Sequence, residues 1–361
     1  MGYRIGFDIG STTIKAVVLD ENNQICYKSY ERHKAQVRQK ALDKLVELKK
    51  YTKEPFKFAI SGSGALGLCE QGELPFVQEV FASATGVTKL YPETDCAIEL
   101  GGEDAKILFF QGSVEQRMNS TCAGGTGAFI DQMSTLLNMS LEEMNEASLN
   151  YHRLYPIASR CGVFAKTDIQ PLINQGVDKC DLCASIFQAV VDQTITSLAQ
   201  GRKIEGNILF LGGPLYFLSG LRKRFVETLK LSDAQVNCPE TAINFVALGT
   251  AICADQEYTY DELYKALEDL VHAPAKLTES KPLFENEEDY QKFIERHKSH
   301  DAKYAQLKDY LGKAYLGIDS GSTTTKLVLL DENDAILYDS YTSNKGNPLD
   351  VVLEDLKKIY E

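Results

Sequence analysis

Two stretches combine an acid, glycines, polar groups and a lysine at spacings that suit phosphate chemistry. In Asp8-Ile9-Gly10-Ser11-Thr12-Thr13-Ile14-Lys15 a carboxylate precedes a glycine turn, three hydroxyls and a lysine. Glycine lets the backbone approach a phosphate closely, and the turn amides with the hydroxyls of Ser11, Thr12 and Thr13 donate to its oxygens. Asp8 would hold Mg²⁺ through water. Glu99-Leu100-Gly101-Gly102-Glu103-Asp104-Ala105-Lys106 repeats the plan, an acid at a strand end followed by a glycine turn. A third turn, Leu211-Gly212-Gly213-Pro214, follows a strand and opens a helix, which suits the adenosine side of a nucleotide. Each turn alone is commonplace, but the three in this order point to a nucleotide.

Cysteine is the other reactive type. In STCAGGTGAFID, Ser120 to Asp131, Cys122 stands directly before a glycine-rich turn and a helix start. Three readings are open for it: a buried structural thiol, a nucleophile, or a ligand to something anionic. Cys180-Asp181-Leu182-Cys183 has metal-ligand spacing, but no second pair or histidine nearby completes a zinc site, so core packing is expected. Cys26, Cys69, Cys96, Cys238 and Cys253 fall in strand or helix patterns and read as core thiols. None of the five histidines falls in a recognisable catalytic setting.

The elements that must position these groups come from a repeat. Residues 6 to 30, GFDIGSTTIKAVVLDENNQICYKSY, recur at 317 to 341 as GIDSGSTTTKLVLLDENDAILYDSY, with 16 of 25 positions identical. Each copy reads as three strands joined by tight turns. In the first copy a helix (35–49) and a strand (56–60) follow. A second β-rich set starts at Cys96, with strands at 96–100, 105–110 and 113–118, and helices near 127–137 and 182–200. A strand at 207–211 then enters the third glycine turn. The order βββαβ…βββα…αβα is one topology used twice, which makes two lobes.

Domain boundaries follow: a two-lobed module over 1–254, with lobe I about 1–93, lobe II about 94–240 and a connecting helix at 241–254. Residues 255–313 are charged and tyrosine-rich with helical periodicity and no strand signal, a linker of helices. Residues 314–361 start a second repeat of βββα. About 45 residues of that kind cannot bury a full core of their own, so a cut from a longer protein is expected.

Bulk properties exclude other classes. A net charge of −13 argues against nucleic acid as the main partner. No run of apolar residues reads as a membrane span and no signal segment opens the chain, so a cytoplasmic location without a membrane partner is expected. Nine cysteines scattered over 361 residues do not form a disulfide framework. The motif SGSGALG, Ser61 to Gly67, matches a dinucleotide fingerprint. However, the residues after it make a poor helix, and three preceding strands are wrong for a Rossmann unit. It reads instead as a segment between the lobes.

Over residues 3 to about 254 the arrangement resembles the actin, sugar kinase and heat-shock chaperone ATPase superfamily, in which two ribonuclease H-like lobes close on ATP. Asn244 to Ala251 resembles its last connecting helix. One branch is more similar: the ATP-dependent activators of 2-hydroxyacyl-CoA dehydratases and the ATPase subunits of benzoyl-CoA reductase. Cys122-Ala123-Gly124-Gly125-Thr126-Gly127 matches its Cys-Ala-x-Gly-Thr-Gly motif, and Ser159-Arg160-Cys161-Gly162-Val163-Phe164-Ala165 matches its second cysteine motif. The resemblance implies a homodimer in which Cys122 and Cys161 of both chains hold one [4Fe–4S] cluster. It also implies an ATP- and Mg²⁺-dependent electron carrier between a ferredoxin or flavodoxin and a dehydratase- or reductase-type enzyme or fused domain.

In that scheme Asp8 and Glu99 position Mg²⁺ and the attacking water, and Ser11, Thr12, Thr13 and Lys15 cradle the phosphates. Gly101, Gly102 and Asp104 meet the γ-phosphate, and Gly212, Gly213 and Pro214 the adenosine. Glu99 and Glu103 depart from the Asp and Gln of relatives, and are expected to slow hydrolysis or shift metal preference. The incomplete second copy resembles large fused members of the branch. Rival readings are a small-molecule kinase of the same fold and a non-catalytic nucleotide switch.

Overall fold

The computed structural model describes residues 2–119, 124–158, 162–274, 282–298, 300–308, 310–321, 323–343 and 348–360. The chain forms two compact units, Met1–Lys276 and Leu277–Glu361. Cys122 and Cys161 lie outside the described residues.

In lobe I of the first unit, β1 (Arg4–Ile9), β2 (Thr13–Leu19) and β3 (Ile25–Arg32) form an antiparallel meander. The Asp20 carboxylate sets the turn between β2 and β3 by accepting the Asn22 and Gln24 N–H groups, with Asn23 left-handed at φ 60°. Helix α1 (Val37–Glu47) crosses over to β4 (Phe56–Ser61), which pairs parallel to β1. Helix α2 (Leu66–Gly72) follows, so the residues after SGSG do form a short helix. Then α3 (Glu79–Leu90) leads to the second lobe.

Lobe II repeats the plan. Strands β5 (Cys96–Leu100), β6 (Ala105–Phe109) and β7 (Glu115–Met118) form a meander, and α4 (Gly127–Leu137), α5 (Leu141–Ser148), α6 (Gly162–Asn174) and α7 (Lys179–Thr194) pack on it. Strand β8 (Ile208–Leu211) runs parallel to β5, and α8 (Gly213–Phe217), α9 (Ser219–Leu229) and β9 (Val236–Asn237) complete the lobe. Helix α10 (Phe245–Cys253) returns and packs with α3 between the lobes. Its backbone lies so close to β1 that a Cβ on Gly6 would stand 2.3 Å from Ala247 O and Ala251 N.

Two corrections concern this unit. Residues 255–274 are not the strandless linker expected. Strand β10 (Glu257–Tyr258) pairs with β4, and α11 (Tyr260–His272) buries Leu263, Leu267 and Leu270 in the lobe I core. The periodic apolar face there serves tertiary packing, which outweighs the polar composition that suggested a linker. Cys26 is exposed, because β3 is an edge strand whose residues alternate outward. Cys69, Cys96 and Cys183 are buried, and burial pushes each thiol up to about 12. Lys179–Ala199 is long and apolar enough to cross a membrane, yet it is mostly buried and its apolar residues sit in the lobe II core.

The second unit holds α12 (Glu287–Lys298), the meander β11 (Tyr315–Ser320), β12 (Thr324–Leu330) and β13 (Ile336–Ser343), and α13 (Pro348–Tyr360). Its β12–β13 turn copies the first: the Asp331 carboxylate accepts the Asn333 and Ala335 N–H groups, and Asp334 is left-handed at φ 62°.

Candidate functional site

Strand register puts Asp8 opposite Lys15, and Glu99 opposite Lys106. Each acid therefore meets a lysine across its hairpin, directly behind its glycine turn. Lys15 Nζ is 2.7 Å from Asp8 Oδ2, with Lys15 18% and Asp8 3% exposed. Burial disfavours the Lys15 charge, but Asp8 outweighs it and holds the ammonium above the ordinary lysine range. Lys106 Nζ lies 2.8 Å from Asp104, 3.5 Å from Glu99 and 2.6 Å from Glu79. Burial again works against the charge, and the three carboxylates together hold Lys106 well above the ordinary range. Burial raises the Glu99 carboxyl, against the pull of Lys106; its Oε2 accepts from Ser83 Oγ at 3.0 Å.

The turns face each other. A Cβ on Gly102 would meet Thr12 Oγ1 at 3.6 Å. Ser11 and Thr12 are exposed, whereas Thr13 is buried at the start of β2 and anchors the turn through its carbonyl, which accepts the Gly10 N–H at 2.9 Å. Glu103 is exposed at the tip of the second turn, outside the lysine cluster. The third turn joins the second: a Cβ on Gly127 would lie 3.2 Å from Gly101 O and 3.3 Å from Pro214 Cγ. Tyr30 from lobe I reaches this edge, with its ring 6.3 Å from that of Phe217 and its hydroxyl beside Gly213.

Gly62 and Gly212 are a symmetric pair. Each follows the parallel strand of its lobe in a conformation that L side chains rarely adopt, at φ 101° and 88°. A Cβ would stand 2.2 Å from Ile9 O in one case and 2.0 Å from Leu100 O in the other. The SGSG stretch is thus the lobe I counterpart of the third glycine turn, packed against the first glycine turn.

The start of α4 is bound to the second turn as well. Gly127 N–H donates to Gly101 O at 3.0 Å and Ala128 N–H to Gly102 O at 2.7 Å. These helix-start amides are satisfied by the second glycine turn itself. On α6, a Cβ at Gly162 would meet Gln132 Oε1 of α4 at 2.6 Å, so the helices that follow Cys122 and Cys161 pack together. Val163 and Phe164 are exposed at the start of α6.

One contributor stands in a quoted motif without an assigned role, and one escaped the sequence. Lys106 closes the second motif, and the seven-residue offset it shares with Asp8–Lys15 marks it as the partner of Glu99. Glu79 had no local signal: it starts α3, accepts Ser63 N–H at 3.1 Å and binds Lys106, and so ties the loop behind the first turn to the second. The donor set suits hydrated Mg²⁺ beside Asp8. Ser61 is its register neighbour on β4, and the buried Ser61 Oγ has no hydrogen-bond partner among the described residues. No group of three acids, cysteines or histidines able to ligate a metal directly occurs among the described residues. Cys183 is buried in α7, and Cys180 is half-buried at the start of that helix, with its N–H capped by Asp178.

The chain is 29% identical over 258 residues to the activator of lactoyl-CoA dehydratase from Anaerotignum propionicum, a match spanning 70% of this chain and 97% of the relative. It is 26% identical over 215 residues to the (R)-2-hydroxyglutaryl-CoA dehydratase activating ATPase of Acidaminococcus fermentans, 58% of this chain and 82% of that one. The solved activator of 2-hydroxyisocaproyl-CoA dehydratase from Clostridium difficile, with bound ADPNP, superposes with a TM-score of 0.62 at 25% identity, over 75% of this chain and 98% of that one. The two lobes therefore have the fold of an activator ATPase, and with residues 5–254 matching it, the chain belongs to the BadF/BadG/BcrA/BcrD ATPase family.

Proposed function

We propose that this chain is an ATP-hydrolysing reductive activator, which couples nucleotide turnover to delivery of one electron to a dehydratase- or reductase-type partner. One observation carries the reading: the carbonyls of the second phosphate turn, Gly101 and Gly102, hold the first amides of α4, the helix that follows Cys122. Any movement of that turn on loss of the γ-phosphate is passed to α4 and to α6 packed on it. Both helices begin just after a cysteine of the motif pair. The similar relatives named as dehydratase activators support the same partner class.

In this reading Ser11, Thr12 and Lys15 bind phosphate oxygens from lobe I, and Gly101, Gly102 and Asp104 approach from lobe II. Asp8, with Ser61, orients hydrated Mg²⁺. Glu99 holds the attacking water, with Lys106 and Glu79 fixing its carboxylate; catalysis is positioning and charge neutralisation. Gly212, Gly213 and Pro214 border the adenosine. Glu103 adds charge at the turn tip that weakens γ-phosphate binding. A [4Fe–4S] cluster held by Cys122 and Cys161 of two chains would supply the one-electron chemistry. The exposed Val163 and Phe164 beside Cys161 would lie against the second chain. A ferredoxin or flavodoxin would be the donor.

Anaerobic reconstitution tests this. The wild type should bind ~4 iron atoms per two chains, and Cys122→Ser should lose the iron yet keep MgATP hydrolysis. A colourless protein that phosphorylates an alcohol or carboxylate would overturn the proposal.

A further inference from the structure

His33 is 4% exposed and lies behind the first phosphate turn. Its Nδ1 accepts the Ala35 N–H at 3.1 Å, and its Nε2 is 3.0 Å from Gly10 O. Because Nδ1 accepts, the neutral ring carries its proton on Nε2, which donates to the Gly10 carbonyl. The His33 N–H also donates to Thr12 O at 3.2 Å, so ring and backbone both grip the turn.

The segment that aims this ring is strained. Gln36 N–H closes onto His33 O at 2.8 Å around Lys34 and Ala35, which hold φ of 48° and 62°. That is the mirror-image tight turn, which favours Asn-Gly and is disfavoured for two residues with side chains. The second copy has Asn344, Lys345 and Gly346 at the matching places. Strain of this kind persists where the surroundings enforce it, commonly at functional sites.

We propose that His33 is a positioning residue of the ATPase site: it holds the Gly10–Ser11 peptide so that the carbonyl faces inward and the Ser11 N–H faces the phosphate. This rests on reading the first turn as a phosphate turn. A trans peptide points its C=O and N–H in opposite directions. With Gly10 O fixed on the buried His33, the Ser11 amide is directed to the exposed side, where Ser11 and Thr12 are exposed and Thr12 lies beside Gly102 of lobe II. The Gly10 N–H bond to Thr13 O belongs to the preceding peptide and does not prevent a flip. A flipped peptide would set a carbonyl dipole against phosphate oxygens.

The test uses the full chain and steady-state MgATP hydrolysis. His33→Gln keeps a donor at the Nε2 position and should retain a near wild-type KM. His33→Asn keeps only a group at the Nδ1 position and should raise KM about fivefold, the worth of one hydrogen bond, with a smaller change in kcat. Lys34→Gly combined with His33→Asn relaxes the turn and should leave the KM elevated while restoring any lost thermal stability. Equal KM for wild type and the Asn variant, or recovery of KM by Lys34→Gly, would overturn the proposal. Lys15→Ala separates the two levels. If it leaves turnover unchanged, the phosphate-turn reading falls too; if it abolishes turnover while His33→Asn is silent, only the role of His33 falls.

Discussion

The acid–lysine hairpin occurs in both repeats with the same local geometry and opposite surroundings. Lys15 reaches Asp8 at 2.7 Å in the first unit, and Lys326 reaches Asp319 at 2.7 Å in the second. The first pair is 18% and 3% exposed, the second 40% and 66%. Strand β1 is nearly all buried and β11 is exposed throughout. Around β1 the parallel strand β4 and helix α10 supply the cover; β11 pairs only with β12 among the described residues. Twenty-five residues therefore build a hairpin and its ion pair, but the low dielectric that strengthens the pair comes from elements distant in sequence. The hairpin and its ion pair are local; their burial is tertiary.

The sharpest way to break this comparison is to remove both lysines in turn. Lys15→Ala should lower MgATP turnover by about 100-fold, the scale of one lost transition-state donor. Lys326→Ala should leave it unchanged, and a comparable loss would make the second hairpin a working site. Next in size is a glycine swap. Gly6→Val drives a side chain into the α10 backbone and should cost at least about 1–3 kcal/mol, read as lost amide hydrogen-exchange protection in β1 and β2. A Cβ on Gly317 would meet only Val328 O, at 3.8 Å, so Gly317→Val should leave protection of β12 unchanged.

The same division explains what the sequence disclosed. The meanders, the three glycine turns and the two-lobe order were legible because hairpins depend on residues within a dozen places. Cys26 was misplaced because strand pattern alone does not reveal which strand forms the sheet edge. Residues 255–274 looked like a linker because their apolar face is narrow and its partner, α1, lies over 200 residues earlier; Arg38 spans that distance to the carbonyls of Leu270 and Ala273. Glu79 and His33 act on turns formed by other segments, so neither sits in a motif. The SGSG stretch was assigned between the lobes, and its match to the third turn emerges only from the paired geometry of Gly62 and Gly212.

The smallest effect should be equal in the two copies, and that equality is its value. Asn23 and Asp334 occupy the same position of the β-turn, left-handed at φ 60° and 62°. Asn and Asp tolerate that conformation better than alanine does, which lacks a polar group to bond locally. Asn23→Ala and Asp334→Ala should each cost about 1 kcal/mol, measured as exchange protection of the flanking strands. Parity would mean that the turn's energy is set inside the hairpin, whatever covers it. A cost confined to Asn23 would mean that the cover around the first unit also enforces its turns, and the line between local and tertiary contributions would then have to be drawn inside the hairpin itself.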